Sequence, residues 1–293
     1  MKWLIFGGNG WIGKQLCKLL HDEKETVFCT EVRADNEVDV ENEINKIQPD
    51  RIVSLIGRTY GPGINSIDYL ENKLFENIND NLYSPMVLSI LCMKHNIHFT
   101  YLGTGCIFTG SKQSKNTVDG SGFEETDKPN FFGSSYSIVK GFTDRLMHFF
   151  EENTLNLRIR MPINGEHHPR NFITKMMSYK KICSIPNSMS VLPELLPIMI
   201  DMSKRKIVGT FNFTNPGLIS HNEILNLIKE HIDPEIKWDN ITIEEQRKML
   251  ASDRSNNKLR VEKLQSLYPN IKNIGESVKD IIMQMKKINL NDK

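Results

Sequence analysis

Short apolar runs alternate with longer stretches of helical periodicity along the first half of the chain. The apolar runs, each bounded by turn-forming or charged residues, predict five strands: KWLIF at 2–6, TVFC at 26–29, RIVSLI at 51–56, HFTYLG at 98–103 and LNLRIR at 155–160. The stretches between them predict helices at 11–22, 40–47, 68–95 and 135–152. Because strands that alternate with helices pair in parallel and are covered on both faces, we expect an α/β fold built on a doubly wound parallel sheet.

The pattern is looser after residue 160, where loop-like segments rich in Asn, Pro and Ser interrupt the apolar runs. FNFTNP at 211–216 is a candidate for one more strand, and helices are expected at 191–204, 220–231, 242–250 and 275–287. We therefore predict a sheet domain over residues 1–160, to which a helix near 191–204 returns, and a smaller C-terminal lobe over residues 161–293.

A glycine-rich loop follows the first predicted strand. Gly7, Gly10 and Gly13 have the spacing G-x-x-G-x-x-G, with a strand before them and a helix after them. In such a loop the first glycine permits a tight turn, the second lets a pyrophosphate approach the backbone, and the third lets the helix pack on the strand. Free N–H groups at the helix N-terminus favour phosphate. The motif predicts a dinucleotide-binding, Rossmann-type sheet.

The end of the second predicted strand bears on the choice of cofactor. An acidic residue there would bind the ribose hydroxyls of NADH, whereas an arginine would meet the 2′-phosphate of NADPH. The sequence offers both Glu31 and Arg33. We favour Arg33 and NADPH over NADH, because a guanidinium binds phosphate oxygens well. The alternative is that both are exposed loop charges.

Three residues suggest general acid–base chemistry. Tyr136 and Lys140 are spaced i, i+4 in a helical segment, so both side chains lie on one helix face. A neighbouring ammonium lowers the pKa of a phenol, which would make Tyr136 a usable acid or base. Thr104 ends the fourth predicted strand, where ligands of open α/β sheets bind. The tyrosine and lysine alone would be weak evidence, since Y-x-x-x-K occurs by chance in many helices.

The order of these motifs resembles the extended short-chain dehydrogenase/reductase family over the whole chain. The resemblance implies that Thr104, Tyr136 and Lys140 are the catalytic trio and that Lys140 also binds the nicotinamide ribose. The resemblance also implies that three further segments contact the cofactor. They are the variable positions of the glycine loop, the turn after the third strand and the R-M-P stretch at 160–162. The cofactor-binding residues expected are therefore Gly7, Asn9, Gly10, Trp11, Ile12, Gly13, Arg33, Gly57, Tyr136, Lys140 and Pro162.

Several segments look like the plant nucleotide-rhamnose synthase/epimerase-reductases within that family. They are GGNGWIGK, TGCIF, SYSIVKGFTDRLM, RMPINGEHHPRNFITK, IPNSMSVLPELLPI, FNFTNPGLISHNEIL and RSNNKL. The resemblance implies an enzyme that inverts C3 and C5 of a UDP- or dTDP-4-keto-6-deoxyglucose and reduces C4 with NADPH. It also implies that Asn171, Asn187 and Arg254 bind the nucleotide-sugar substrate.

Epimerisation requires a base, and Cys106 is the candidate. It lies two residues after Thr104, so on an extended segment both side chains would share a face. A thiolate is a suitable base if nearby positive charge lowers its pKa. Lys175 matches the acid partner of the family. Without the resemblance, a buried cysteine and an exposed lysine would be the favoured interpretations.

Composition narrows the function classes. The net charge of +1 gives no reason to expect a nucleic acid or an anionic membrane as partner, and no run of eighteen apolar residues is present. The N-terminus lacks the pattern of a secretion signal, and the five scattered cysteines fit reduced thiols in a cytoplasmic protein. The adjacent His167 and His168 lack partners at ligand spacing, so no metal site is expected. A homodimer is the candidate assembly.

Two alternatives to the bifunctional enzyme remain. One is a reductase without epimerase activity, similar to the dTDP-4-dehydrorhamnose reductases, against which Cys106 and Lys175 count. The other is a non-catalytic NADP-binding regulatory subunit, against which the trio of Thr104, Tyr136 and Lys140 counts.

Overall fold

The structure is a computed structural model that describes residues 1–110 and 121–291 of the 293-residue chain. It divides into two compact units whose segments interleave along the sequence. The sheet unit comprises Met1–Ile107, Lys128–Arg158 and Leu196–Phe211. The C-terminal unit comprises the described residues of Phe108–Asp127, Ile159–Leu195 and Asn212–Lys293.

The strands are β1 (Lys2–Phe6), β2 (Thr26–Thr30), β3 (Arg51–Ser54), β4 (His98–Thr104), β5 (Thr154–Ile159), β6 (Lys181–Ile182), β7 (Gly209–Asn212) and β8 (Asp239–Asn240). The helices are α1 (Trp11–Asp22), α2 (Glu37–Ile47), α3 (Leu74–Ile78), α4 (Ser84–Lys94), α5 (Ser135–Met147), α6 (Phe172–Met177), α7 (Leu192–Lys204), α8 (His221–His231), α9 (Ile243–Met249), α10 (Glu262–Leu267) and α11 (Ile274–Asn291). Two 3-10 turns cover Ile67–Asn72 and His148–Phe150, and a π-helical turn covers Asn79–Tyr83.

Six strands form one sheet in the order β2-β1-β3-β4-β5-β7. The strands β1 and β2, β1 and β3, and β3 and β4 pair in parallel, with Trp3 opposite both Val27 and Arg51. The chain therefore builds the sheet in one direction from β1 to β2 and in the other from β3 onward. A switch point of this kind leaves a crevice at the carboxyl ends of β1 and β3, where ligands of open α/β sheets bind. The predicted doubly wound parallel sheet is confirmed.

Helix 68–95 of the sequence prediction is divided into four shorter pieces. The chain passes from a 3-10 turn into α3, then through the π-helical turn Asn79–Tyr83 into α4. Pro85 stands at the start of α4, where its missing N–H costs no intrahelical hydrogen bond. Polar side chains in the run Asn77–Asn81 bond to distant residues: Asn79 donates to Asp35, Asp80 accepts from Arg33 and Arg58, and Asn81 bonds to the backbone of Arg58. The buried face continues at helical spacing through Asn77, Asn81, Ser84 and Leu88, although the helix type changes and most of these residues are polar.

Each unit has its own apolar core. In the sheet unit, side chains of the sheet pack with those of α2 and α4, including Leu4, Phe6, Val40, Ile44, Ile52, Val87, Leu91, Phe99 and Tyr101. In the C-terminal unit, a second cluster joins α6, α8 and α11 and includes Ile173, Met176, Ile224, Ile228, Val278 and Ile282. The short α6 and α10 and the two-residue pair of β6 and β8 were not predicted, because segments of two to six residues carry no readable period.

Across residues 1–110 and 121–291, no helix is both long and apolar enough to cross a membrane.

A buried ion pair fixes α5 against β5. The guanidinium of Arg158 is completely buried and donates to both carboxylate oxygens of Asp144, at 2.7 Å each. Asp144 Oδ1 also accepts from Asn156 at 3.2 Å. Removing one partner of such a pair leaves an uncompensated charge in the interior.

We therefore expect Asp144→Ala to lower the free energy of unfolding by about 3–5 kcal/mol. Urea denaturation followed by circular dichroism measures the change. Lys18→Ala is the control, because the Lys18–Asp22 pair is exposed and should contribute far less. Equal small effects of the two substitutions would contradict a structural role for the buried pair.

Candidate active site

The glycine loop joins β1 to α1 in a conformation that requires glycine. Gly7 has a φ of +80°, and a Cβ atom there would lie 3.2 Å from the backbone of Leu55, which directly follows β3. A Cβ at Gly13 would lie 2.3 Å from the carbonyl oxygen of Gly7, so only glycine lets α1 pack this closely. Gly10 is the N-cap of α1 and provides no side-chain acceptor to its first N–H groups. The loop therefore fits a pyrophosphate cradle.

The remaining predicted loop residues surround this cradle. Asn9 is exposed, while Trp11 and Ile12 are partly buried in the first turn of α1. Gly57 is exposed after β3, and the adjacent Arg58 is held by buried Asn81, which accepts from the Arg58 N–H at 3.0 Å and donates to its carbonyl at 2.9 Å. Asn81 was missed by sequence reasoning, since an asparagine in a polar run gives no distinguishing signal.

Arg33 lies beyond the end of β2 and is engaged by two carboxylates. It donates to Asp35 at 2.9 and 3.0 Å and to Asp80 at 3.1 Å, while its side chain remains 62% exposed. Asp80 also accepts from Arg58 at 2.6 Å, so two guanidinium groups share one carboxylate. A surface depression beside them is lined by Glu31, Arg33 and Tyr83, among others. A 2′-phosphate at this edge would compete with the carboxylates for Arg33.

Thr104, Tyr136 and Lys140 come together at the carboxyl end of β4. Thr104 is the last residue of the strand, and its side chain shares a hydrogen bond with that of Tyr136 in the first turn of α5. All three side chains are buried. The helix starts here because Ser134 caps it, accepting a hydrogen bond from the Ser137 N–H at 3.1 Å.

Lys140 contacts Tyr101 rather than Tyr136. Its ammonium donates to the Tyr101 hydroxyl and lies 4.7 Å from the centre of that ring. Burial lowers the pKa of Lys140 to about 8, with partial opposition from Asp144 and Cys106. The expectation that the ammonium would lower the pKa of Tyr136 is wrong for this arrangement. Burial, together with the thiol of Cys106, raises the pKa of Tyr136 instead, against the lowering effect of the Thr104 hydrogen bond.

Cys106 also lies beside Thr104 and Tyr136, but not because of the strand alternation that the sequence predicted. The strand ends at Thr104, so Cys106 lies in a turn and the alternation of an extended segment does not position it. Its N–H donates to Thr104 Oγ1 at 3.1 Å, and its carbonyl accepts from the Ser137 hydroxyl at 2.7 Å. The half-buried thiol interacts electrostatically with Tyr136 and Lys140. Four predicted catalytic residues are thus neighbours in the sheet unit.

Sequence reasoning missed three residues that hold this group together. Tyr101 accepts the Lys140 hydrogen bond, Ser134 caps α5, and Ser137 fixes the Cys106 carbonyl. The spacing S-x-x-S at 134–137 was a usable capping signal, because serine is a preferred N-cap. Tyr101 offered none, since a tyrosine inside a strand is ordinary for a buried position.

Lys175, the fifth predicted catalytic residue, belongs to the C-terminal unit. It lies on α6 and is partly buried. Burial and, to a smaller extent, the positive charges of Arg170 and Arg254 lower its pKa to about 8. The predicted substrate residue Arg254 therefore lies within electrostatic range of Lys175, and it also donates to the hydroxyl of Ser252 at 2.7 Å. These cations make this part of the unit suited to an anionic group.

Asn171 and Asn187, which are predicted to bind the substrate, are held by hydrogen bonds inside the C-terminal unit. Both are completely buried. Asn171 caps α6 and donates to the carbonyl oxygens of Asn164 and Glu166, at 2.8 and 2.7 Å. The amide oxygen of Asn187 accepts from buried Arg160 at 2.7 Å. With their polar atoms occupied inside the unit, the two asparagines shape the loops around them.

The stretch at 160–162 is held by Arg160, whose guanidinium is buried and donates to Ser255 Oγ at 2.8 Å. Pro162 is partly buried and its carbonyl accepts from the Phe172 N–H at 3.2 Å. His167 and His168 lie in the loop before α6. Within the two described ranges of the chain, no group of three or more His, Cys, Asp and Glu residues is arranged to hold a metal ion.

Comparison with known proteins places this geometry in a family. A model described as the RmlD substrate binding domain matches residues 1–182. A bifunctional dTDP-4-dehydrorhamnose 3,5-epimerase/dTDP-4-dehydrorhamnose reductase of Arabidopsis thaliana is 39% identical over 97% of this chain and 93% of its own. The chain therefore belongs to the RmlD substrate binding domain family.

Further relatives extend the comparison. A trifunctional UDP-glucose 4,6-dehydratase/UDP-4-keto-6-deoxy-D-glucose 3,5-epimerase/UDP-4-keto-L-rhamnose-reductase of Arabidopsis thaliana is 40% identical over 98% of this chain, which spans only 42% of that relative's length. The crystal structure of the L780 UDP-rhamnose synthase from Acanthamoeba polyphaga mimivirus is 57% identical, with a TM-score of 0.94 over 97% of this chain and 99% of its own. A dTDP-4-dehydrorhamnose reductase from Bacillus anthracis in complex with NADP shares the fold at 16% identity, with a TM-score of 0.78 over 97% of this chain and 98% of its own.

Proposed function

We propose that the protein is a bifunctional 3,5-epimerase/4-reductase that converts UDP-4-keto-6-deoxy-D-glucose, or its dTDP counterpart, to the nucleotide-linked L-rhamnose with NADPH. The observation that carries the proposal is the grouping of Cys106 with Thr104, Tyr136 and Lys140 at the end of β4. A plain reductase has no need of a thiol there. The names of the Arabidopsis and mimivirus relatives support the reaction, and that of the mimivirus structure favours the UDP substrate. We do not propose for this chain the dehydratase activity that the name of the trifunctional relative includes.

Reduction needs a hydride and a proton at the C4 carbonyl. NADPH, when bound at the glycine loop, supplies the hydride. In the proposal Tyr136 donates the proton to the C4 oxygen, and Thr104 holds that oxygen by a hydrogen bond. A raised phenol pKa keeps Tyr136 protonated near neutrality, which suits a proton donor. With a pKa of about 8, Lys140 carries a positive charge beside the site at neutral pH.

Epimerisation uses the same carbonyl. The C4 ketone acidifies the protons on C3 and C5, and Cys106 as the thiolate removes one of them. The resulting enolate oxygen is stabilised by Tyr136 and Thr104, which later serve the reduction. A proton delivered to the opposite face completes the inversion. We assign that delivery to Lys175 on the family resemblance, and its lowered pKa suits an amine that gives up a proton near neutral pH.

Cys106→Ser should separate the two half-reactions. A serine hydroxyl is much harder to deprotonate than a thiol, so deuterium exchange at C3 and C5 in heavy water, without NADPH, should fall by about a hundredfold or more. The substitution is nearly isosteric, so reduction of a pre-epimerised 4-keto sugar, followed by NADPH oxidation, should be largely retained.

Tyr136→Phe is the comparison variant, because Tyr136 is proposed to serve both half-reactions: reduction should fall by a factor of about a hundred to ten thousand, and exchange should fall as well. Full exchange in Cys106→Ser would mean that another base acts. Absence of exchange in the wild type would leave the protein a reductase without epimerase activity, and absence of both reactions in the wild type would favour the regulatory-subunit alternative.

NADPH is the proposed cofactor, and Arg33 is the proposed contact of its 2′-phosphate. The guanidinium is exposed at the end of β2 and lies beside Arg58, which adds a second positive charge. The NADP complex of the Bacillus anthracis relative supports the choice. Glu31, which is also exposed there, is the residue that would matter for NADH.

Arg33→Ala should raise the KM for NADPH by about tenfold or more and leave the KM for NADH nearly unchanged, because only NADPH carries the 2′-phosphate. Steady-state kinetics with each cofactor gives the comparison, and Lys14→Ala, an exposed cation of α1, serves as the charge control. A wild-type preference for NADH would refute the assignment.

A homodimer through the sheet unit is also proposed. Ile138, Phe142 and Leu146 form an exposed apolar stripe along α5 at i, i+4, i+8 spacing, with Phe142 61% exposed. Leu74 and Phe75 on α3, a helix that packs against α5, are exposed as well. An apolar helix face of this kind fits a self-complementary interface, in which the same patch is buried on both copies.

Phe142→Asp should shift the protein from dimer to monomer, because an isologous interface would receive two buried charges. Analytical ultracentrifugation across a concentration series measures the shift. Met249→Asp is the control, since Met249 is similarly exposed at 57% but lies in the C-terminal unit. A wild type that is monomeric at all concentrations would overturn the proposal.

We also propose a cytoplasmic location, because the five cysteines are all free thiols in the structure, as expected in a reducing compartment. Fluorescence microscopy of a tagged chain tests it, and a secreted or organellar signal would contradict it.

A further inference from the structure

Two cysteines outside the proposed catalytic group lie against each other in the sheet unit. Cys17 is in the second turn of α1 and Cys29 is on β2, and their sulfur atoms are 3.0 Å apart. Cys29 is exposed, because β2 is an edge strand of the sheet, and Cys17 is half-buried. Neither thiol has a part in the reduction or the epimerisation.

The pair is packed directly against the glycine loop. A Cβ atom at Gly8 would lie 2.6 Å from the sulfur of Cys29 and 3.5 Å from that of Cys17. The carbonyl of Gly8 in turn would lie 2.5 Å from a Cβ at Gly13, so Gly8 is confined between the thiols and the start of α1. The two sulfur atoms are therefore held together by the packing of α1, β2 and the loop.

We propose that Cys17 and Cys29 form a reversible disulfide when the protein meets a peroxide, and that the pair is a redox site beneath the glycine loop. Hydrogen peroxide oxidises the Cys29 thiolate to a sulfenic acid and releases hydroxide. The sulfur of Cys17 then attacks the sulfur of Cys29, the S–O bond breaks, and water leaves. In total two thiols lose two electrons and two protons, and the peroxide is reduced to two water molecules.

The surroundings of the two thiols assign their order of reaction. Cys29 is exposed to the oxidant, whereas burial and the hydrogen bond with Cys29 raise the pKa of Cys17 to about 12. Cys29 is therefore the sulfur that peroxide oxidises, and Cys17 is the resolving thiol. Closing the bond requires the sulfurs to approach by about 1 Å, since an S–S bond is about 2.05 Å long.

Thiol mapping tests the proposal independently of the reaction assigned to the enzyme. Reduced protein is treated with hydrogen peroxide, the remaining thiols are alkylated, and peptides are identified by mass spectrometry. We expect one intramolecular link between Cys17 and Cys29 that dithiothreitol reverses. Cys17→Ser should instead accumulate a sulfenic acid at Cys29 that dimedone traps. Links to other cysteines, links between chains, or no reaction at Cys29 would each overturn the proposal.

Thermal unfolding adds a second measurement. Because the link restricts the unfolded chain, the oxidised wild type should unfold about 5 °C above the reduced form. Cys29→Ser should show one midpoint under both conditions, and Cys92→Ser, at a buried cysteine of α4, should keep the shift. A linked protein with a lowered midpoint would mean that closure distorts the native packing, which contradicts a preformed pair.

Discussion

The candidate site depends on one tie between the end of β4 and the start of α5. The turn after Thr104 is fixed at both sides of Cys106, because its N–H is bonded to Thr104 and its carbonyl to Ser137. Ser137 belongs to the capped first turn that carries Tyr136. A strand end and a helix start that come from distant parts of the chain are thereby locked together. Thr104, Cys106 and Tyr136 therefore have defined neighbours in the structure.

The neighbours of Lys140 explain why it can be buried. Its ammonium contacts Tyr101 of β4, which provides a hydroxyl oxygen and the face of its ring. Asp144, one turn further along α5, adds a negative charge nearby. Asp144 is occupied by the bidentate contact of Arg158, so it offsets the cost of burial only in part. The remaining cost lowers the pKa of Lys140 to about 8. Lys175 reaches a similar pKa by another route, through burial beside two arginines. Both lysines are therefore poised closer to neutrality than an exposed lysine.

The sheet could be predicted from sequence because its strands are apolar runs with clear boundaries, and the glycine loop because only glycine fits its contacts at Gly7 and Gly13. The trio was predicted from spacing and resemblance. The contacts of these residues could not be predicted, since they depend on partners distant in sequence. Lys140 contacts Tyr101, thirty-nine residues away, and the tyrosine pKa consequently shifts in the opposite direction from the one expected. Asn171 and Asn187 illustrate the same limit, because their contacts with Asn164, Glu166 and Arg160 are not indicated by residue type or spacing.

The cysteines show why environment rather than residue type decides chemistry. Cys92 is completely buried on α4, where desolvation raises its pKa and leaves it an apolar core side chain. Cys17 has a raised pKa for a related reason, but its sulfur touches that of an exposed neighbour, and a thiol so placed can resolve an oxidised partner although it is a poor nucleophile alone. Cys106 is half-buried between a phenol and an ammonium, in a turn that fixes its backbone. A thiolate that removes a proton from carbon is stabilised by a neighbouring positive charge while it waits for substrate. The thiol that results must then be able to release the proton again. The number and spacing of the cysteines in the sequence do not distinguish these three residues. Burial, contact distance and neighbouring groups do: one thiol is completely buried, one touches another thiol, and one lies between a phenol and an ammonium.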